Sequence, residues 1–271
     1  MKYLNVGCGS HYIKDTDWSN VDFTANDSYV IEHNLLKGIP FNDSSFDLVY
    51  HSHVLEHFSK SDGYNFLMEC YRVLKPNGVI RIVIPNLENI VREYLKWIEF
   101  GLENQNDKSI QSNYDWIMLE MYDQTVRNSS GGEMGKYLLQ DKLVNEDYIY
   151  DRIGEEGRMF RLNNLNRNLS YIPRNIYITQ FKNILKRIKK SIISKSSFNE
   201  IGKFRSEGEV HQWMYDRYSL TIILRSLGFN EIQIIGAFDS YIKDWESFNL
   251  DGKNGIVRKP DSLFIEARKI G

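Results

Sequence analysis

From Tyr3 to Ile84 the chain alternates short apolar runs with turns and helix-like stretches, a pattern typical of a parallel sheet flanked by helices. Five runs predict successive strands: YLNV, NVDF, SYVIEH, FDLVYH and VIRIVI. Between the fourth and fifth runs, SKSDGYNFLMECYRVL spaces its apolar residues three and four apart, which predicts one amphipathic helix. We expect Pro76 to end that helix and Asn77 or Gly78 to adopt the positive φ of the following turn.

The rest of the chain divides into a less regular middle and a regular end. Asn86 is expected to cap the helix NLENIVREYLKWIEF, whereas residues 101–208 show no regular alternation and predict a mostly helical insertion that covers the substrate as a lid. After it, YSLTIILRSLGF predicts a helix closed by Gly228, and NEIQIIGA and DSLFIEAR predict two final strands that rejoin the sheet. The prediction is an α/β fold with a doubly wound, mostly parallel seven-stranded sheet, formed by residues 1–100 and 209–271.

Composition narrows the function classes. The 271 residues include 34 Lys and Arg against 36 Asp and Glu, a formal charge of -2, which disfavours a nucleic-acid partner. Cys8 and Cys70 are too few and too far apart for a disulfide framework or a zinc site. The start MKYLNVGCG lacks signal-peptide features, and no apolar run is long enough to span a bilayer. We therefore predict a cytoplasmic protein.

A glycine turn and a strand-end carboxylate are the first candidates for chemistry. Gly7 and Gly9 follow the first strand, where glycine lets the backbone pass close beneath a ligand. An ordinary tight turn is the alternative. Asp22 ends the second strand, where a carboxylate accepts hydrogen bonds from both hydroxyls of a ribose, although a strand-end aspartate can also cap a turn. Together they suggest a nucleoside pocket.

Four segments in order carry a family resemblance: LNVGCG, NVDF, GIPFNDSSFDLVYHSHVLEHF and RVLKPNGVIRIVIP. They resemble the successive motifs of class I, Rossmann-like S-adenosylmethionine-dependent methyltransferases, firmly over Tyr3 to Pro85 and loosely over the C-terminal strands. The chain is also similar to a bacterial subgroup of predicted methyltransferases of unassigned substrate, which often share a segment like HQWMYDRYSL and RKPDSLFIEA here. The resemblance implies S-adenosyl-L-methionine as cofactor and methyl transfer as the reaction, and it implies no particular acceptor.

The resemblance also implies which residues bind the cofactor. Gly7 and Gly9 would line its methionine and ribose, Asp22 would hold the ribose hydroxyls, and Leu35 would pack on the adenine. Asn34 stands where the family commonly has an acidic residue for the adenine amino group, and its side-chain carbonyl can still accept that hydrogen bond. The full predicted cofactor set is Asn5, Gly7, Cys8, Gly9, Asp22, Phe23, Asn34, Leu35, Ser52 and His53.

A short spacing argues against a dinucleotide cofactor. Only 12 residues separate Gly9 from Asp22, where a dinucleotide fold usually needs about 20 to fit a full helix. The first helix is therefore predicted to be short or missing. NAD or FAD would rest its pyrophosphate on that helix N-terminus, whereas S-adenosylmethionine has no phosphate.

The segment VYHSHVLEHF places three histidines where substrate and methyl group should meet. Strand alternation predicts that His51 and His53 share one face, with Ser52 opposite. His53 or His57 is the candidate general base, with His51 as a third catalytic candidate, although alignment with an activated methyl sulfonium should supply most of the rate. Hydrogen-bonded structural histidines are the alternative. We expect no metal, because no HxxxH set with a carboxylate completes a site.

Two later segments are candidates for acceptor binding. In MYDQTVRNSSGGEMGKYL, Arg127 and Lys136 flank paired glycines, which suits a mobile lid over an anionic substrate or an ordinary surface loop. In HQWMYDRYSL, His211 and Tyr215 are predicted substrate-binding residues, and helix capping by Asp216 is the alternative reading of that segment.

The segment 178–195, ITQFKNILKRIKKSIISK, predicts a basic amphipathic helix. It could rest on an anionic membrane surface, at the inner face of the membrane, or pack its apolar stripe on the core. The leading hypothesis is methyl transfer to an oxygen or nitrogen of a small molecule, with a sugar of a surface polysaccharide, or its phosphorylated or lipid-linked form, as the specific guess. The rivals are a non-catalytic binding protein docked through this helix and nucleic-acid methylation; the oligomeric state stays open.

Overall fold

The computed structural model describes residues 1–25, 27–169, 194–206 and 208–271. Within these residues the centre is a seven-stranded sheet, accompanied by a two-stranded hairpin. The strands are β1 Tyr3–Val6, β2 Trp18–Asp22, β3 Val30–Glu32, β4 Phe46–Ser52, β5 Leu74–Pro85, β6 Phe229–Ile235, β7 Gly252–Lys253, β8 Ile256–Val257 and β9 Ser262–Lys269.

The main sheet has the strand order β3-β2-β1-β4-β5-β9-β6. Strands β1 to β5 pair in parallel, and β9 lies antiparallel between β5 and β6. This confirms the predicted mostly parallel seven-stranded sheet, including the return of the last two strands. The order reverses beside β1, between β2 and β4, and the carboxyl ends of parallel strands form a ligand crevice at such a point.

The described helices include the three that the sequence predicted for the main domain, one before β5, one after Asn86 and one before Gly228. They are α1 Lys60–Val73, α2 Leu87–Glu103, α3 Lys108–Val126, α4 Gly132–Leu138, α5 Glu146–Leu169, α6 Ser194–Ser206 and α7 Arg217–Ser226. The predicted cap Asn86 accepts a hydrogen bond from the Asn89 amide at the start of α2. Asn77 and Gly228, at the predicted turns after α1 and α7, have φ values of +61° and +93°. The predicted cap and the two predicted turns are therefore confirmed.

Both faces of the sheet are buried, which explains the apolar runs in its strands. On β5, Ile80, Ile82 and Ile84 pack in one core cluster with residues of α1 and α7. The alternate residues Val79 and Val83 pack in a second cluster on the other face.

Arg81 lies on that second face and is fully buried. Its guanidinium lies 2.7 Å from an oxygen of Asp251 and 2.8 Å from an oxygen of Glu266, and it donates to the carbonyl of Ala237 at 2.9 Å. A buried cation needs such partners, so this network joins β5, β9 and the segment after β6.

No helix lies between β1 and β2, which confirms the prediction from the short spacing. Side-chain amides hold the connecting loop instead. Asn5 donates to the carbonyl of His11 at 2.9 Å, and Asn20 both donates to and accepts from the backbone of Ile13, at 2.9 and 3.2 Å. The loop is therefore ordered by two buried asparagines rather than by a helix.

The stretch predicted as an insertion contains α3 to α6 among its described residues, with a small core of its own formed by Trp116, Leu138, Leu143 and Ile149. The buried Glu120 and Arg152 join α3 to α5 with a 2.5 Å ion pair. The division of the chain into domains, and the role of this part as a lid, stay predictions. Most of the predicted basic helix 178–195 lies outside the described residues, and among the described helices none has the length and apolar character to cross a bilayer.

Candidate active site

The glycine turn after β1 is tightly constrained at its first residue. Gly7 has a φ of +65°, and a Cβ built on it would lie 2.3 Å from Cγ2 of Val54. Gly9 also has a positive φ, +54°, but a Cβ there would meet nothing within 4 Å. Glycine at position 7 is therefore required by both the backbone and a close contact, and glycine at position 9 by the backbone alone.

Asp22 has the capping role that the sequence offered as an alternative, and its predicted contact with a ribose stays a prediction. One carboxylate oxygen accepts the amide hydrogen of Gly9 at 2.8 Å, and the other accepts that of Thr24 at 3.2 Å. The side chain thus caps the turn and also lines a pocket. An ionised carboxylate has lone pairs to spare for further donors, so capping does not exclude a ligand.

A cavity of about 540 Å³ lies at this edge of the sheet, within the ordinary size of a small-molecule site. Six of the predicted cofactor residues line it: Gly7, Asp22, Phe23, Asn34, Leu35 and His53. The predicted catalytic residue His57 lines it as well. The sheet geometry therefore brings together residues that the sequence spreads over four strand ends.

Four predicted cofactor residues lie near this cavity without lining it. Asn5 is buried and holds the β1–β2 loop, and Cys8 is buried in the turn, where burial raises the pKa of its thiol to about 12. Gly9 contributes its amide to Asp22, and the Ser52 hydroxyl accepts a hydrogen bond from Arg258 at 3.3 Å. Their direct contact with a cofactor stays a prediction.

Asn34 lines the pocket from the end of a turn. Its side-chain oxygen accepts the amide hydrogen of Leu36 at 3.0 Å and so caps the short 3₁₀ helix Leu35–Lys37. The carbonyl oxygen keeps a second lone pair, so the predicted contact with an amine is compatible with capping.

The sequence missed several lining residues. Thr24 and Leu36 adjoin predicted ones, Val54 and Phe58 lie within the histidine segment, and Ser59 and Asp62 follow it. A widened window around each motif would have found these six. Ser206, Gly208 and Gln212 come from the far end of the chain's helical middle, and no local signal in the sequence links them to the pocket.

The three histidines of the β4 segment lie in different surroundings. The predicted common face of His51 and His53 does not form as strand alternation implies, because β4 ends at Ser52 and His53 has a φ of +54°. His51 is fully buried with its ring against Phe66, and burial lowers its pKa to about 4. His53 instead lines the pocket.

Both ring nitrogens of His53 have neighbours. Nε2 lies 2.9 Å from the hydroxyl of Ser262, and Nδ1 lies 3.1 Å from a carboxylate oxygen of Glu56. Burial is the main cause that lowers the pKa of His53. The imidazole is therefore held in a fixed orientation at the wall of the pocket.

Glu56 is a functional candidate that the sequence treated only as part of a motif. It is fully buried, in the 3₁₀ turn Leu55–His57. Burial opposes its ionisation, but the neighbouring His53, with smaller effects of His211 and His57, outweighs burial and holds its pKa below the usual range. A carboxylate thus lies among imidazoles inside the protein.

The predicted acceptor residues are dispersed. His211 lies beside Glu56, with Nε2 4.0 Å from a carboxylate oxygen, and burial lowers its pKa to about 3. Arg127 is ion-paired with Asp123 at 2.9 Å and with Glu209 at 3.1 Å, and Tyr215 is buried in the main core. His211 therefore lies beside Glu56, Tyr215 packs in the same cluster as Leu55 and Phe58, and acceptor contacts by all three predicted residues stay predictions.

Asp216 is an N-cap, as the alternative reading of its segment proposed. Its side chain accepts the amide hydrogens of Tyr218 and Ser219, both at 2.8 Å, and Ser219 completes a capping box. The start of α7 is therefore fixed independently of any ligand.

Comparison with known proteins agrees with this geometry. Residues 10–82 match the family model described as a methyltransferase domain. A relative in Mycolicibacterium smegmatis, named "Probable S-adenosylmethionine-dependent methyltransferase/", is 41% identical over 56 residues, 21% of this chain. The chain covers only 21% of that relative's length. The family implies S-adenosylmethionine as cofactor.

Two solved structures are similar at low identity. A SAM-dependent methyltransferase from Archaeoglobus fulgidus is 15% identical, with 99% of this chain and 86% of that chain covered and a TM-score of 0.38. A SAM-dependent methyltransferase from Aquifex aeolicus is 18% identical, with 32% and 57% covered and a TM-score of 0.27.

Proposed function

We propose that this chain, whose residues 10–82 carry a methyltransferase domain, moves a methyl group from S-adenosylmethionine to an oxygen or nitrogen of a small-molecule acceptor. The observation that carries the proposal is a single pocket lined both by Gly7 and Asp22 and by His53 and Gln212. The first pair suits a nucleoside, and the second pair offers polar groups to an acceptor.

The cofactor side of the pocket fits the proposed ligand. Asp22 presents a carboxylate for the ribose hydroxyls, and Gly7 leaves the space that a side chain would fill. Phe23 and Leu36 line the pocket with side chains that are 62% and 65% exposed, an apolar surface suited to the adenine ring beside Asn34. When bound, the cofactor supplies an activated methyl group on its sulfonium.

The acceptor side of the pocket is expected to accelerate the reaction mainly by aligning the acceptor atom with the methyl group, because the methyl sulfonium is already activated. Of the three predicted catalytic histidines, His53 has the best-supported position, since it lines the pocket and is held by Ser262 and Glu56. We assign it contact with the reacting oxygen or nitrogen. His57 lines the same pocket, whereas the core position of His51 gives its catalytic role no support.

The acceptor class is proposed from the remaining polar lining. Ser59, Asp62 and Gln212 share the pocket with His53 and offer hydroxyl, carboxylate and amide groups. Such a set suits a ligand rich in hydroxyls, so a saccharide is the specific acceptor that we propose. Its membership of a surface polysaccharide, and a cytoplasmic or membrane-peripheral location, remain predictions from the sequence.

The first experiment measures binding of S-adenosylmethionine and of its demethylated product by calorimetry. Replacing Asp22 with Ala removes two charged hydrogen bonds to the ribose, about 3 kcal/mol, and should weaken affinity roughly 100-fold. Asp22→Asn is the matched control for the turn, because it keeps an oxygen for the Gly9 amide and should lose less. Absence of binding of either ligand at millimolar concentration would contradict the proposal.

The second experiment measures turnover with sugars, nucleotide sugars and amines as acceptors. His53→Ala should lower kcat at least about 10-fold while cofactor affinity stays nearly unchanged, and His11→Ala, at an exposed histidine, should change neither. Cofactor binding without turnover on any acceptor would favour the non-catalytic rival. Salt-dependent retention of RNA would favour nucleic-acid methylation.

A further inference from the structure

Three potential metal ligands that are distant in sequence converge beside the pocket. Glu56 and His57 lie in the turn Leu55–His57, and His211 lies in the extended segment before α7. One ligand atom of each lies within 4.8 Å of the others. The rings of His57 and His211 meet edge to face, with centroids 4.8 Å apart.

Backbone hydrogen bonds hold the two segments together. The amides of Gln212 and Trp213 both donate to the carbonyl of Glu56, at 2.8 and 3.2 Å. The Gln212 side chain donates to the carbonyl of His57 at 2.9 Å. The ligand set is therefore placed by backbone contacts that do not depend on its own side chains.

The cluster has polar atoms that nothing within the described residues satisfies. Both carboxylate oxygens of Glu56 and the Nδ1 atoms of His57 and His211 are buried and lack a hydrogen bond of good geometry in the described part of the chain. Glu56 is fully buried and His211 is 6% exposed. The atom of His211 that faces Glu56 is Nε2, at 4.0 Å. Buried polar atoms are ordinarily paired, so the unpaired oxygens of Glu56 favour a ligand in this cluster.

The charge of the cluster indicates which kind of ligand it would bind. No lysine or arginine of the described residues lies within ion-pair distance of Glu56; the groups near it are His53 and His211, at 3.1 and 4.0 Å. Arg127, the arginine whose charge acts on His211, is already paired with Asp123 and Glu209. A buried carboxylate without a cation is costly, so a positive ligand would stabilise it.

We propose that Glu56, His57 and His211 bind a divalent transition-metal ion, with zinc as the best match. Two imidazoles and one carboxylate form a known type of zinc ligand set that leaves one position open. Magnesium and calcium prefer oxygen ligands, so they fit this set poorly. The ligand combination itself therefore selects the class of ion.

The distances require a modest closure. With metal–ligand bonds near 2.1 Å, tetrahedral ligand atoms lie about 3.4 Å apart, against 4.0 Å between Glu56 and His211 here. The largest spacing in the cluster, 4.8 Å, would have to shorten by about 1.4 Å, a change on the scale of side-chain rotation. The backbones of the two segments are already joined at Glu56 and His57.

The site would have a direct use, and this consequence rests on the proposed function. His57 and Gln212 line the same pocket as Asp22. An ion bound there would polarise an acceptor hydroxyl and ease loss of its proton as the methyl group transfers.

The test measures metal binding without any cofactor or acceptor. The full chain, stripped with a chelator, is titrated with zinc by equilibrium dialysis, and with cobalt to record the visible spectrum of a tetrahedral site. We expect one ion per chain at micromolar or tighter affinity. The variants His57→Ala and His211→Ala should each weaken zinc binding at least about 100-fold; His57 is partly exposed, so its replacement should disturb the fold little. The control His11→Ala, at an exposed residue, should leave zinc binding unchanged.

A thermal shift separates binding from misfolding. Zinc should raise the Tm of the wild type and of His11→Ala but not of His57→Ala. Glu56→Gln removes the buried charge with little change of shape, so the metal-free variant should be at least as stable as the metal-free wild type and should no longer respond to zinc. Equal zinc affinity in the wild type and His57→Ala would overturn the proposal. Zinc binding in a chain that fails to bind S-adenosylmethionine would preserve this site and refute the proposed function.

Discussion

Gly7 and Gly9 allow the same substitution to be compared at two positions of one turn. Both have positive φ, +65° and +54°, where an alanine costs about 1–2 kcal/mol. Only at Gly7 would the new Cβ meet another atom, Cγ2 of Val54 at 2.3 Å. Val54 is 9% exposed and has little room to move, so overpacking adds about 1–3 kcal/mol. We expect Gly7→Ala to cost about 2–5 kcal/mol of unfolding free energy and Gly9→Ala about 1–2.

The assay is urea unfolding of both variants, with an unchanged m value as the condition for comparing free energies. A Val54→Ala background supplies the decisive control, because it removes the atom that clashes. In that background the extra cost of Gly7→Ala should fall by about 1–3 kcal/mol, whereas the cost of Gly9→Ala should stay the same. Gly7→Ala should also weaken S-adenosylmethionine binding, since both Gly7 and Val54 line the pocket. Equal costs for the two glycines, or no coupling with Val54, would refute the reasoning.

Three further predictions concern buried groups and a helix cap. Replacing Arg81 with Met leaves two buried carboxylates without their cation, so we expect the free energy of unfolding in urea to fall by about 3–5 kcal/mol. A fall below about 1 kcal/mol would contradict the buried network. Burial raises the pKa of Cys8 to about 12 and also raises that of Cys70, so both thiols should stay protonated at neutral pH and resist a thiol reagent until the protein unfolds; rapid reaction of the folded chain would be inconsistent with this burial. Asp216→Ala should cost about 1 kcal/mol through loss of the α7 cap, measured by thermal unfolding against Ser219→Ala, which removes only one half of the capping box and should cost less.

Local sequence patterns predicted most of the strands of the main sheet and the helices that flank it. The strands read from apolar runs exist because both sheet faces are buried, and Asn86 caps α2 because a side-chain oxygen there satisfies a free amide. The pocket residues next to strand ends could also be predicted, because the carboxyl ends of parallel strands lie at one edge of the sheet.

Two features could not be predicted from local patterns. The predicted common face of His51 and His53 does not form, because the backbone of His53 leaves the strand with a positive φ. The residue types of this segment do not encode that change of backbone direction. Arg81 looks like a polar position in a strand, yet its three-dimensional partners, Asp251 and Glu266, allow it to be fully buried.

The two sides of the pocket therefore have different origins. The cofactor side, with Gly7 and Asp22, is built by the first strands and depends on contacts that are short in sequence. The acceptor side is completed when the chain returns after α6: the amide of His211 donates to the carbonyl of Gln124 in α3, and that of Gln212 donates to the carbonyl of Glu56. This segment ties the helical middle of the chain to the turn that carries His57. A change in α3 can thus alter the acceptor side, and the proposed ion site with it, while the nucleoside side keeps its geometry.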